Sequence, residues 1–191
     1  MNKLPASWEQ ARATDRFVSG GDHTGADFRG VDLSDIRLEE LQADNANFEG
    51  GLLNDFRTTE SNFGGASFVG ANLEKAQFFD CNMAGANFSG CTMNGIRLAA
   101  CHMPDCNFED AILSDAVLTG ANLSDCTLRD ADFTHAVAKR ASFARVDATG
   151  ADFSGADLTE AVFVGAKLDG ATFTGAKLDG ATFDPGSQPT T

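Results

Sequence analysis

Carboxylates, thiols and imidazoles are the chemically capable groups of this chain, and their spacing decides what they can do. There are 28 Asp and Glu against 14 Lys and Arg, with five cysteines and three histidines, for a net charge of −14. His23, His102 and His135 lie far apart, none beside a serine or cysteine in a nucleophile context. His102 directly follows Cys101, but adjacent residues of an extended chain point to opposite sides, so they are not expected to share a ligand. The carboxylate pairs Glu39-Glu40 and Glu109-Asp110 fall in turn-like stretches where nothing would raise a pKa. No Cys-x-x-Cys, His-Glu-x-x-His, phosphate-loop or Gly-Gly-x-Gly-x-Asp motif occurs. The expectation is a protein with no catalytic residue, metal or cofactor, hence not an enzyme. Direct nucleic-acid binding is disfavoured by the charge and by the lack of aromatic residues interleaved for base stacking.

What must position these groups is a period of five. A large residue stands at every fifth position through Phe63, Phe68, Leu73 and Phe78, and the register holds from Phe28 to Phe183. Two residues earlier comes a small one, as in Ala66, Ala71, Ala76 and Cys81, and two residues later a Gly or Asp. On an α-helix, five residues overshoot a full turn by about 140°, which would smear the apolar residues around the cylinder. On a flat strand an odd period alternates faces. Only a chain that bends the same way once per repeat sends every large residue to one axis, which makes a solenoid. Gly supplies positive φ at each bend and Asp bonds its own backbone there. The slot before the large residue is polar, as in Asn72, Asn82 and Asn87, and faces water or caps the neighbouring turn.

The unit Ala-(Asp/Asn)-(Leu/Phe)-x-Gly, intact in Ala26-Asp27-Phe28-Arg29-Gly30, Ala86-Asn87-Phe88-Ser89-Gly90 and Ala151-Asp152-Phe153-Ser154-Gly155, resembles the pentapeptide-repeat family across residues 21–185. The resemblance implies an all-β fold: a right-handed quadrilateral parallel β-helix with four repeats, and so twenty residues, per coil. About eight coils at a strand spacing of about 4.8 Å would make a rod nearly 40 Å long. All five cysteines (Cys81, Cys91, Cys101, Cys106, Cys126) occupy the small inward slot. Small buried hydrophobes account for that placement, with a metal or redox site as the alternative. Thr58 is small where a large residue belongs and Phe56 large where a small one does, so volume is conserved within that repeat.

Three segments are expected: an N-terminal cap with a short helix over residues 1–20, the β-helix over 21–185 and a flexible C-terminal tail over 186–191. Ser7 has N-cap form with Gln10 three residues on, and Trp8 and Phe17 are expected to cover the first coil. At the other end the repeats run straight into a polar tail, leaving Leu178 and Phe183 in an uncapped coil. Uncapped edges template pairing with another chain, so a homodimer through the C-terminal coil is expected. The resemblance implies the same, since family members commonly dimerise there, although usually with an added helical segment that these residues do not show. No apolar stretch reaches membrane-spanning length and the start lacks the marks of a signal peptide, so no membrane contact and a cytoplasmic location are expected.

Charge is uneven around a twenty-residue coil. The wall of Leu33, Leu53 and Leu73 carries −6, with Asp32, Asp35, Asp55, Asp115, Asp132 and Asp152 on it. The wall of Leu38, Phe78 and Leu98 carries −1 and holds a candidate partner patch of Phe79, Ala99, Val117 and Val137 flanked by Arg97 and Arg140. Two functions fit, neither catalytic. One is an acidic interaction scaffold for a protein partner that the sequence does not name. The other is DNA mimicry, implied by the quinolone-resistance members of the family, which act on DNA gyrase or topoisomerase IV; a type II topoisomerase would then be the partner. Such members often carry loops interrupting the repeats, and this register has none.

Overall fold

The computed structural model describes residues 4–14 and 16–189. Every backbone pairing in it joins residues twenty apart, in parallel, from Asp22↔Gln42 to Val162↔Thr182. The chain is a right-handed β-helix whose four short walls repeat every coil. We number the walls by their central inward residues: wall 1 holds Phe28, Phe48 and Phe68; wall 2 Leu33, Leu53 and Leu73; wall 3 Leu38, Thr58 and Phe78; wall 4 Ala43, Phe63 and Met83.

One repeat shows why the pentad folds this way. Phe28 N–H donates to Asn47 O in the next coil (2.7 Å), and Asn47 N–H donates back to Ala26 O (2.9 Å). The bend closes when Val31 N–H donates to Phe28 O (3.1 Å). That bend needs left-handed backbone at its last residue, which is why Gly recurs there. Gly30 has φ 62°, and where Gly is missing Asp35 (60°) and Asp55 (56°) adopt the same geometry. The polar slot is structural too. Asp32 Oδ1 accepts from Ser34 N–H (2.9 Å) and Asn87 Oδ1 from Ser89 N–H (3.0 Å), an Asx turn repeated along the rod.

The inward residues stack as ladders. Phe48, Phe68, Phe88 and Phe108 lie near-parallel with centroids 4.9–5.0 Å apart, and Phe143, Phe163 and Phe183 form a second stack at 4.8 and 5.1 Å. The coil spacing imposes this distance, and it is also a good offset-stacking distance, so each ring pair adds about 0.5–1.5 kcal/mol beyond simple burial.

Wall 3 departs from the pattern in the first coils. Strands β1 (Val18–Ser19), β2 (Arg37–Glu39), β3 (Arg57–Thr59) and β4 (Gln77–Phe79) pair in sequence order into a small parallel sheet. At most bends the residue that follows closes the bend by donating to a carbonyl three residues back, but Leu41 N–H donates instead to Ser61 Oγ (3.0 Å). Ser61 in turn gives its proton to Thr59 O (2.8 Å), so the Thr58 hydroxyl is the donor in the 2.7 Å contact between the two side chains. Thr58 is therefore more than a volume compensation for Phe56: it belongs to a fully buried hydroxyl pair.

Helix α1 (Ala6–Thr14) closes the first coil. Pro5 O accepts from Glu9 N–H (3.4 Å), so the N-cap is Pro5 and not the expected Ser7, which lies exposed inside the first turn, as Gln10 does in the second. Trp8 is buried against His23 (4.8 Å) and Phe28 (5.4 Å). Phe17, expected beside it, is instead 38% exposed; Leu4 and Ala11 take the covering role. Arg12 anchors the helix by donating to Asp32 O (2.6 Å) and Ser34 O (3.1 Å).

Candidate interaction surfaces

The acidic wall is less available than its residue list implies. On the outward ladder of wall 2 the order is Asp32, Leu52, Asn72, Thr92, Ile112, Asp132, Asp152, so exposed Leu52 and Ile112 interrupt the carboxylates. Asp32, Asp132 and Asp152 spend an oxygen on the turn amides of Ser34, Thr134 and Ser154. The amide of Ser34 holds the Asp32 carboxyl below its ordinary range, and the Ser154 hydroxyl and Thr172 do the same for Asp152. Asp35, Asp55 and Asp115 stand at corners, with Asp35 and Asp115 exposed and Asp55 half-buried. The structure thus splits the six into three turn acceptors and three corner charges.

Wall 3 gathers the candidate patch on one surface. Its outward ladder runs Arg37, Arg57, Gln77, Arg97, Val117, Val137, Asp157, Lys177. Phe79 lies two residues beyond Gln77 and is 41% exposed, while Ala99, Val117 and Val137 are half-buried. Arg140 differs from expectation, because its Nε binds Glu160 Oε2 at 2.8 Å and the charge is already matched. Arg57, which the sequence places on this wall but not in the patch, shares the ladder with Arg97.

Two carboxylates further along the rod are clamped between coils. Asp147 meets Arg129 at 2.8 Å and Lys167 at 3.4 Å; Asp157 meets Lys139 at 3.3 Å and Lys177 at 3.5 Å. Arg129, then Thr149, hold the Asp147 carboxyl well below the usual range. Burial would raise Asp157, but the Thr159 hydroxyl and amide and the Lys139 ammonium outweigh it and hold it at about 2. Sequence inspection could have found the Asp147-Lys167 and Asp157-Lys177 pairs by aligning every twentieth residue, whereas Arg129 and Lys139 stand eighteen residues before their carboxylates, two places off that register.

The thiols are inward, form no disulfide and are bonded to backbone. Cys91 Sγ donates to Phe68 O (2.8 Å), Cys106 to Met83 O (3.0 Å) and Cys126 to Met103 O (3.0 Å). Burial pushes Cys81 and Cys91 up to about 12 and Cys101 to about 11, so they are neutral thiols at physiological pH. Among the described residues, no group of three or more His, Cys, Asp or Glu is placed to hold a metal. No helix among them is long and apolar enough to cross a membrane.

At the C-terminal end Leu178 and Phe183 are half-buried, with Phe183 stacked on Phe163. Asp184 caps the corner by accepting from Gly165 N–H (2.8 Å).

A family model described as pentapeptide repeats matches the chain in eight copies, over residues 59–95, 93–130, 126–163 and 149–184. The chain belongs to the pentapeptide-repeat family. Several pentapeptide-repeat structures resemble it. HetL, involved in heterocyst differentiation regulation in the cyanobacterium Nostoc, is 27% identical, with 86% of this chain and 81% of that one covered and a TM-score of 0.42. Full-length QnrB1, a plasmid-mediated fluoroquinolone resistance protein, is 21% identical, with 88% and 94% covered and a TM-score of 0.44. A pentapeptide-repeat protein of the Arabidopsis thaliana thylakoid lumen is 27% identical, with 69% and 70% covered and a TM-score of 0.36. No curated protein sequence matches.

Proposed function

We propose that this pentapeptide-repeat rod is a non-catalytic scaffold that binds a protein partner through its walls. Wall 3 carries the reading: it has the lowest net charge, and Phe79 stands 41% exposed on a rod that buries most of its other rings. Backbone groups along the walls are consumed by neighbouring coils, so recognition falls to outward side chains. The filled interior supports the same view, since among the described residues the depressions are open to the surface rather than deep and concave. In the same proposal the final coil pairs with a second copy through the edge beside Leu178 and Phe183.

The test compares partner capture by the wild type and by Phe79→Asp in lysate of the source cells. The variant should keep its circular dichroism and melting temperature while losing the partner. Equal capture by both would sink wall 3 as the contact.

Mimicry of DNA is the second reading, favoured by the −6 charge of wall 2. Its weakness is density. B-DNA carries a charge about every 1.7 Å, so a rod of about 40 Å would match it only with roughly two dozen. Half of the wall 2 carboxylates named above also serve their own turns. Gyrase supercoiling, measured with and without quinolone, decides it; no change at micromolar protein removes mimicry.

A further inference from the structure

Cations on this acidic rod are almost always matched. Every lysine from Lys75 onward and every arginine from Arg129 to Arg145 has a carboxylate within 4.0 Å. Within the repeats, Arg57 and Arg97 are the exceptions. Among the described residues neither has an ion pair or a side-chain hydrogen bond, and Arg57 Nε is buried with no acceptor. Both stand on the outward ladder of wall 3, with only Gln77 between them. In a chain of net charge −14, two unmatched guanidinium groups on one wall form a site with acceptors missing.

The spacing says what shape of partner fits. Two coil steps separate Arg57 from Arg97, about 10 Å at the usual strand spacing. Residues i and i+7 of an α-helix lie about 10.5 Å apart on one face, with i+3 and i+4 between them. Phe79 sits at the intermediate coil, where such a residue would land, and its neighbour in the next coil is the small Ala99, so the ring is not overshadowed. Val117 and Val137 follow at the next two steps. A strand could not add to this wall, because its N–H and C=O groups already bond along the rod axis.

Resting on the scaffold reading, we propose that wall 3 binds an acidic amphipathic helix of a partner protein, laid along the rod axis at about one turn per coil. Carboxylates seven residues apart bind Arg57 and Arg97, an apolar residue between them packs on Phe79, and further apolar residues cover Val117 and Val137. Glu60 and Asp80, on the corner beside Thr59 and Phe79, repel a continuous polyanion but tolerate a helix with basic residues on that flank. That distinguishes a protein helix from nucleic acid.

The test uses two synthetic helical 18-mers, identical except at positions 3 and 10, which are Glu in one and Lys in the other, with Leu at 7, 14 and 17. Binding is followed by fluorescence anisotropy against the wild type and the double variant Arg57→Glu/Arg97→Glu, both checked for folding by circular dichroism. The wild type should prefer the Glu peptide by about tenfold and the double variant should reverse that preference. Equal binding of the two peptides, a preference that survives the double reversal, or no binding of the Glu peptide at millimolar concentration would each overturn the proposal. So would displacement of the Glu peptide by duplex DNA, which would make the occupant a polyanion. Capture of a native partner that is insensitive to the arginines would leave the scaffold standing without this helix; no capture at all would remove both.

Discussion

Ser61 shows how much one buried oxygen can decide. It accepts from Leu41 N–H and from Thr58, and donates to Thr59 O. Ser61→Ala removes the acceptor and strands a buried amide, which should cost roughly 1–3 kcal/mol in urea unfolding. Ser61→Cys should recover most of that loss, because Cys81 fills the equivalent slot one coil on and accepts from the Ser61 amide. A Cys variant no more stable than the Ala variant would show that volume alone matters there. The hydroxyl pair was not legible in the sequence. Thr58 and Ser61 are three apart in the chain, and only the unclosed bend between them brings the two oxygens together. The cysteines were legible as small inward residues, but their bonds to carbonyls of the coil beneath depend on a stacking distance that composition does not contain.

At the scale of the element, the coil is a ladder in which each side chain meets its counterpart twenty residues away. Phenylalanine gains from this through stacking. Charge gains only when opposite signs meet between coils, as in Arg129-Asp147-Lys167 and Lys139-Asp157-Lys177, where the lysine after each carboxylate is twenty residues on and the cation before it eighteen back. Both carboxylates titrate lower in the folded rod than in the unfolded chain, so their contribution is present above the unfolded value of about 3.9 and is lost as pH falls through the folded one. Stability should therefore be flat from pH 8 to about 5 and fall between about 4 and 2, which chemical denaturation across that range would measure. Asp157→Asn should shallow the fall and lower stability at pH 7 by roughly 1 kcal/mol, since the pairs lie at the surface. An unchanged acid limb would mean that the triad contributes nothing.

For the whole molecule, the ends set how the rod behaves. Helix α1 seals the first coil with Trp8 and ties it down with Arg12. The last coil has no matching lid among the described residues, and the rings of Phe173 and Phe183 approach that edge. If this edge pairs with another copy, light scattering should give a dimer mass for the wild type and a monomer mass for Phe183→Glu. A monomer in both cases would rule the pairing out.

The sequence alone determined the solenoid and which residues of each repeat face inward. An unbroken period of five leaves one backbone geometry that keeps large residues on an axis, while four repeats per coil, and so a register of twenty, is what the resemblance to the pentapeptide-repeat family implied and what the pairings show. Tertiary structure decided which of those residues are free to act. Net charge per wall counts Arg57 and Arg140 alike, yet Arg140 is matched by Glu160 and Arg57 is unmatched. It counts Asp152 and Asp115 alike, yet only Asp152 serves a turn amide. Hydrogen bonds and ion pairs reach a few ångströms, so whether a group is spent or spare depends on neighbours a full coil away, and folding alone brings those within reach.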